Sequence, residues 1–221
     1  MFSAKKCKPL EKYPLKVKAA SGTILGGKPL LCGGLREWSV AQPDSGTYSE
    51  CFMHERATDE WKLHAKLLTP RLSHSSVNMN GTVWVAGGTD GEHLLKTTEF
   101  IYADGLVEKG PDLPNPIANH CAVDLKDGRA MLIGGAKDWY GTDSLLEVWI
   151  YDSRSMVFTR GPPLQYHRAG SACALFQSPL HGGRPVVLVA GGIYGIYQTE
   201  MLDFTNKSAV WENGEFSLKI I

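Results

Sequence analysis

Four short apolar runs in this chain each close on Gly-Gly: LLCGG at Leu30 to Gly34, VWVAGG at Val83 to Gly88, MLIGG at Met131 to Gly135, and VVLVAGG at Val186 to Gly192. The first glycines of the doublets are Gly33, Gly87, Gly134 and Gly191, so the unit recurs after 54, 47 and 57 residues. Self-similarity at a period near ~50 residues marks an array, in which each unit buries its apolar faces against its neighbours. With 43% apolar residues among 221, the chain can supply such a core.

Each unit shows the same grammar. A turn precedes the Gly-Gly run: Gly27-Lys28, Asn80-Gly81, Asp127-Gly128 and Gly183-Arg184. Asn-Gly and Asp-Gly favour tight hairpins because both central residues must adopt positive φ. The run itself is apolar on both faces, as expected for a strand covered on both sides. After a variable loop a glutamate opens another strand: Glu50, Glu99, Glu147 and Glu200. Eleven residues beyond it stands a large aromatic in three units (Trp61, Phe158, Trp211), while the second unit has a shorter turn and places Val107 there. Thr58 to Leu68 contains good helix formers, but the repeat phase puts Trp61 at the aromatic position and predicts a strand. The expectation is an all-β fold of four-stranded antiparallel units, each one blade of a propeller.

These features together resemble the kelch repeat: an apolar run with Gly-Gly, a glutamate before a strand, and a spaced tryptophan. The linking segments fit too. Pro70-Arg71-Leu72-Ser73-His74 and Arg168-Ala169-Gly170-Ser171 resemble the Arg-x-x-His approach to a kelch blade, whereas the third unit keeps His120 but has Ile117 in place of arginine. The resemblance implies an N-terminal extension over 1–14 and a kelch propeller over 15–221, with blades at approximately 15–68, 69–114, 115–165 and 166–221. It implies a structural role for Gly33, Gly34, Glu50, Trp61, Gly87, Gly88, Glu99, Gly134, Gly135, Glu147, Phe158, Gly191, Gly192, Glu200 and Trp211. Kelch propellers usually close with six or seven blades and four are present here. The sequence is therefore read as a partial array, against the alternative of a small ring sealed by the alternating segment Ser217 to Ile221.

Formal charge is zero, so nothing points to nucleic acid or an anionic membrane as an obligate partner. The apolar stretches are strand-sized, so no membrane-spanning helix is expected. Met1 to Lys8 lacks the apolar core of a signal peptide, and the compartment stays open between cytoplasmic and secreted. Two sequons, at Asn80 and Asn206, fall on predicted turns and are possible glycosylation sites. Five cysteines cannot all pair within one chain. Cys32 and Cys51 fall near the same end of antiparallel neighbours and are either a disulfide or two buried thiols. Period-two alternation sends Cys121 and Cys173 to opposite faces, which argues against a bridge between them. Cys7 is left unpaired.

None of the seven histidines shows a close zinc-type spacing, and His74 and His120 occupy one repeated position, which speaks for architecture. No metal site or cofactor is expected. The glutamates repeat likewise and read as blade staples. The loops after the doublets differ in every unit, and variable loops on a regular frame are where binding resides. By resemblance to kelch proteins, residues just after the Gly-Gly and just before the next blade converge on one mouth. That makes Arg36, Arg71, Asp90, Lys137, Arg168 and Tyr194 the candidate ligand-binding rim. The expected function is a non-catalytic module for a protein or peptide ligand, with self-association through open blade edges. The alternatives are a kelch-propeller enzyme, of the copper-radical sugar oxidase or sialic acid epimerase kind, and a structural segment of a longer scaffold.

Overall fold

A computed structural model describes residues 9–36, 46–193, 197–206 and 208–214. Cys7, Tyr194 and Ser217 to Ile221 lie outside the described residues. The first unit comprises β1 (Val17–Lys18), β2 (Ser21–Leu25), β3 (Lys28–Cys32), β4 (Leu35–Arg36), β5 (Glu50–Glu55) and β6 (Glu60–Lys66). The second holds β7 (Ser75–Met79), β8 (Thr82–Ala86), β9 (Thr98–Ile101) and β10 (Val107–Lys109). The third holds β11 (Cys121–Asp124), β12 (Arg129–Ile133), β13 (Val148–Asp152) and β14 (Val157–Arg160), and the fourth β15 (Ala172–Ser178), β16 (Arg184–Ala190), β17 (Thr199–Leu202) and β18 (Glu212–Asn213). Four antiparallel four-stranded sheets result, ordered β2-β3-β5-β6, β7-β8-β9-β10, β11-β12-β13-β14 and β15-β16-β17-β18, with β1 paired to β4. The all-β expectation holds, and Thr58 to Leu68 contains the strand β6.

The first strands of successive sheets adjoin, β2 against β7, β7 against β11 and β11 against β15, so these blades stand around a common axis. Between blades lie three apolar cores. Leu30, Cys32 and Met53 meet Val83, Val85 and Ile101 at the first junction. Trp84 and Met79 meet Leu132 and Tyr151 at the second, where Trp84 and Tyr151 stack with ring centroids 4.7 Å apart. Met131, Ile133 and Val148 meet Val187, Val189, Leu202 and Trp211 at the third. Tyr13, ahead of the first blade, packs edge-on against Phe52 and Trp61 on that blade's other face, at 5.6 and 5.1 Å.

The doublets lock the blades together. The N–H of Gly34, Gly88 and Gly135 donates to the carbonyl of Arg71, Ile117 and Arg168 in the next blade's lead-in, at 2.8, 2.8 and 2.7 Å. The preceding glycine admits that carbonyl: a Cβ on Gly87 would lie 2.6 Å from the Ile117 oxygen, and one on Gly33 or Gly134 would collide likewise with that of Arg71 or Arg168. A second chain of bonds runs nearer the axis. Ser73 donates to Ala19, Asn119 to Ser73 and Gly170 to Asn119, at 2.9, 2.9 and 2.7 Å between backbone N and O. All four of these residues have positive φ. Beside them, Ser21 shares a hydrogen bond with His74 (2.6 Å) and Ser75 with His120 (2.8 Å), so each imidazole bonds a hydroxyl of the preceding blade.

The strand register corrects the equivalence of the four glutamates. The residues before the doublets, Cys32, Ala86, Ile133 and Ala190, face Cys51, Thr98, Val148 and Thr199. One residue further on, Phe52, Glu99, Trp149 and Glu200 share a position; Glu50 and Glu147 fall two residues earlier, with Thr97 and Gln198. Glu99 accepts from Leu68 N (2.6 Å) and Thr69 N (3.1 Å) and pairs with Arg71. Glu200 accepts from Gln165 N (2.6 Å) and Arg168 Nε (2.8 Å). Blades one and three carry Val17 with Phe52 and Ile117 with Trp149 at these two places. Glu147 instead accepts from its neighbour Trp149 Nε1 at 3.1 Å, and Glu50 lies 3.7 Å from Lys66. The ion-paired staple thus belongs to blades two and four, and an apolar pair replaces both members in the other two. Trp61, Val107 and Phe158 face His54, Ile101 and Tyr151 at matching places.

Cys32 and Cys51 are directly paired residues of β3 and β5 and form a disulfide with Cα atoms 4.1 Å apart. Cys121 and Cys173 form a second, Cα to Cα 6.0 Å, which corrects the expectation against it. The two side chains do take opposite faces of their own sheets. Successive blades pack front to back, so opposite faces are the ones that meet.

Three outcomes follow from this packing. Gly87→Ala combines a φ of +60° with the carbonyl clash and should lose about 2–4 kcal/mol in urea unfolding, against about 1 for Gly182→Ala, whose φ is +66° with open space around it. Arg71→Met strands a buried carboxylate and should cost about 3–5 kcal/mol; adding Glu99→Met should cost less than the two single losses summed, read from a double-mutant cycle. Burial drives the His74 imidazole well below its usual value and that of His120 down to about 4. The native state therefore holds neutral imidazoles, so stability is level above about pH 6.5 and declines as pH falls towards about 4, by up to ~1.4 kcal/mol per unit for each histidine. His120→Asn should flatten that decline in denaturant titrations at pH 4 to 7.

Candidate functional site

The loops after the doublets and the lead-ins to the next strands gather at one end of the sheets, as the bridges Leu72–Thr89 and Ala118–Ala136 record. The opposite end carries the tight hairpins and a groove of about 620 Å³ along the inner strands. Thr23, Ser76, Asn78 and Ala122 line that groove, with Asp124 and Lys126 ion-paired to each other at 2.6 Å.

Of the six candidate rim residues, Arg36, Asp90 and Lys137 stand on the loop end. Arg36 is half-buried, donating from Nε to the Tyr48 hydroxyl (3.1 Å) with its guanidinium 5.2 Å from that ring's centroid. Asp90 closes its own loop: Oδ1 accepts from the N–H of His93 (2.7 Å) and Glu92 (2.8 Å). The His93 bond is the chief cause of a carboxyl pKa below the usual range. The Thr47 hydroxyl donates to the Asp90 carbonyl at 2.7 Å and ties the first two loops together. Lys137 is exposed.

Arg71 and Arg168 are 0% exposed and do not belong to a solvent-facing rim. Their guanidinium groups donate to Gly87 O and Thr97 O, and to Gly191 O and Gln198 O, besides the paired glutamates. A long cation just before a blade reads from sequence as a ligand contact. Here the carbonyls around a doublet and a buried carboxylate absorb its donors. Tyr194 lies outside the described residues.

What the loop end offers most plainly is an aromatic pair. Trp139 and Tyr140 are 41% and 65% exposed, with ring centroids 4.3 Å apart. The loop beneath them is braced. Asp138 accepts from Thr142 Oγ1 (2.7 Å), Thr142 N (3.1 Å) and Asp143 N (2.5 Å). Partial desolvation opposes ionisation there, but the Thr142 hydroxyl and the N–H groups of Asp143, Thr142 and Gly141 hold the carboxyl at about 2. Asn119, on the axial bond chain, donates from Nδ2 to the Trp139 carbonyl at 2.8 Å. Gly141 packs against Ile193 and Ala169 of the fourth blade. The loop sequence announces its Trp and Tyr; the bracing that keeps them outside the fold comes from Asn119 and from blade four. Among the described residues, no three His, Cys, Asp or Glu side chains converge as metal ligands.

No protein-family model matches the chain. Among curated proteins it is 28% identical over 121 residues to the spermatocyte protein spe-26 of Caenorhabditis elegans, covering 54% of this chain and 20% of that one. It is 25% identical over 142 residues to Kelch-like protein 38 of Rattus norvegicus, covering 63% and 24%, and to the Mus musculus protein at the same identity and coverage. The chain thus spans about a fifth to a quarter of the length of these relatives. The solved structure of YjhT superposes with a TM-score of 0.69 at 15% identity, over 83% of this chain and 61% of that one, and supports the fold. The repeated doublets, the blade sheets and these likenesses lead to one assignment: the chain is an array of kelch repeats with a β-propeller fold.

Proposed function

We propose that the loop end of this array is a non-catalytic docking face for a protein or peptide, with Trp139 and Tyr140 at its centre and Lys137, Arg36 and Asp90 around them. The observation that carries the reading is the exposure of two adjoining aromatic rings on a braced loop. Trp, Tyr and Arg dominate binding hot spots because a large, stiff, amphipathic side chain gains much buried area for little lost freedom. Hydrogen bonds within the fold brace the loop, so less conformational entropy is lost on binding. The kelch-like relatives favour a protein partner in kind. Arg71 and Arg168 serve this face indirectly, by fixing where the loops leave the blades.

The test is selection of peptides from a displayed library on the whole chain, followed by affinity measurement against variants. Trp139→Ala and Tyr140→Ala should each weaken the selected peptides about tenfold or more, while Met156→Ala, exposed at the hairpin end, should leave them unchanged. Peptides indifferent to both aromatic changes would place binding elsewhere and reject the reading.

A further inference from the structure

On the axial side, the three described junctions between blades are built alike except at one point. At the first, His74 bonds Ser21; at the second, His120 bonds Ser75. At the third, the equivalent residues are Ser171 and Cys121, and the Ser171 Oγ donates only a long, weak bond to Cys121 Sγ at 3.9 Å. There the Cys121–Cys173 disulfide spans the same gap, joining β11 to β15 across the blade boundary. The short Ser–His bond has been exchanged for a covalent link. The exchange is local, because Cys173 lies two residues beyond Ser171 on the same side of its strand.

The two disulfides differ in what surrounds them. Cys32 and Cys51, at 1% and 0% exposure, sit inside the first core. Cys121 and Cys173 are half-buried, on strands beside the axis, and Ala172 and Ala174 flanking Cys173 are exposed. Thiol–disulfide exchange needs access of a thiolate to one sulfur, so accessible bridges exchange while enclosed ones persist.

We propose that Cys121 and Cys173 form a redox-modification site, a reversible clasp that sets how firmly the fourth blade is held on the third. The reductant is either glutathione, a monothiol used twice, or a dithiol of the thioredoxin class. A reductant thiolate attacks Sγ of Cys121 or Cys173, breaks the S–S bond and leaves the other cysteine as a thiolate that takes up a proton. The second thiol of the dithiol, or a second glutathione, then attacks the reductant's sulfur in the mixed disulfide and releases the remaining cysteine, which is also protonated. Two electrons and two protons pass to the protein, and the reductant leaves as its disulfide. The reverse sequence with glutathione disulfide closes the clasp. In the open state the junction keeps its apolar core and the bonds Gly135 N to Arg168 O and Gly170 N to Asn119 O. It has no Ser–His bond to replace the lost link. The loop of blade three leans on Ile193 and Ala169, so loosening the fourth blade also removes support from beneath Trp139 and Tyr140.

The experiment uses the whole chain carrying Cys7→Ser, equilibrated in glutathione buffers of graded ratio, then alkylated, mapped by mass, and pulsed for hydrogen exchange. The Cys121–Cys173 pair should open and reclose across the series while Cys32–Cys51 stays oxidised. Opening should speed amide exchange in residues 172–202 about a hundredfold, with residues 75–101 little changed. Cys121→Ser with Cys173→Ser should exchange at the fast rate whatever the buffer. Should that variant not fold, the buffer series on the parent chain decides alone. Alkylation of both cysteines in the fully oxidised native protein overturns the proposal, and so does equal exchange of 172–202 in the two states.

Discussion

The contact on which the array depends is a backbone one: a glycine N–H of one blade reaching the carbonyl that leads into the next. Gly34 to Arg71, Gly88 to Ile117 and Gly135 to Arg168 are the same bond drawn three times, at 2.7 to 2.8 Å. It forms only if the residue before it has no side chain and a positive φ, which is why glycine stands at both places. Sheets held this closely must bury the side chains between them, so the apolar runs ahead of the doublets become inter-blade cores. A bond that needs two adjacent glycines is also what makes the repeat visible at all.

Around that constant contact the junctions vary in how they satisfy what they bury. Blades two and four use a buried Arg–Glu pair, in which the carboxylate also caps link N–H groups. Blades one and three put Val17 with Phe52, and Ile117 with Trp149, at the same places. Both solutions avoid an unpaired buried charge, the condition that burial of ions imposes. The axial side shows the same freedom, with Ser–His at two junctions and Ser–Cys backed by a disulfide at the third. Members of each pair vary together because half of either solution would leave a charge or polar atom stranded.

The features proposed for docking sit where this constraint is released. Past the doublet each chain leaves the sheet, and length and composition cease to be dictated by packing. The third loop uses that freedom to set Trp139 and Tyr140 in solvent over a base of Asp138, Thr142 and Asn119 bonds. A rigid frame with one variable edge separates stability from the proposed docking role: the loop can change its tip while its stems keep the same bonds in the first three blades.

The periodic doublets, turns and spaced aromatics determined the blade architecture from sequence alone, because each is a local requirement that recurs in phase. Glu50 and Glu147 show where such reading stops. They look like Glu99 and Glu200 along the chain, yet cross-strand pairing sets them two residues out of register. Pairing is fixed by partners in another strand, so counting along one strand cannot find it. Arg71 and Arg168 were legible as repeated cations but not as buried ones, since what encloses them is the carbonyl ring of a doublet about 20 residues away. The Cys121–Cys173 link was hidden for a related reason. Alternation gives the face each side chain takes, and only the stacking of one sheet on the next decides which faces meet.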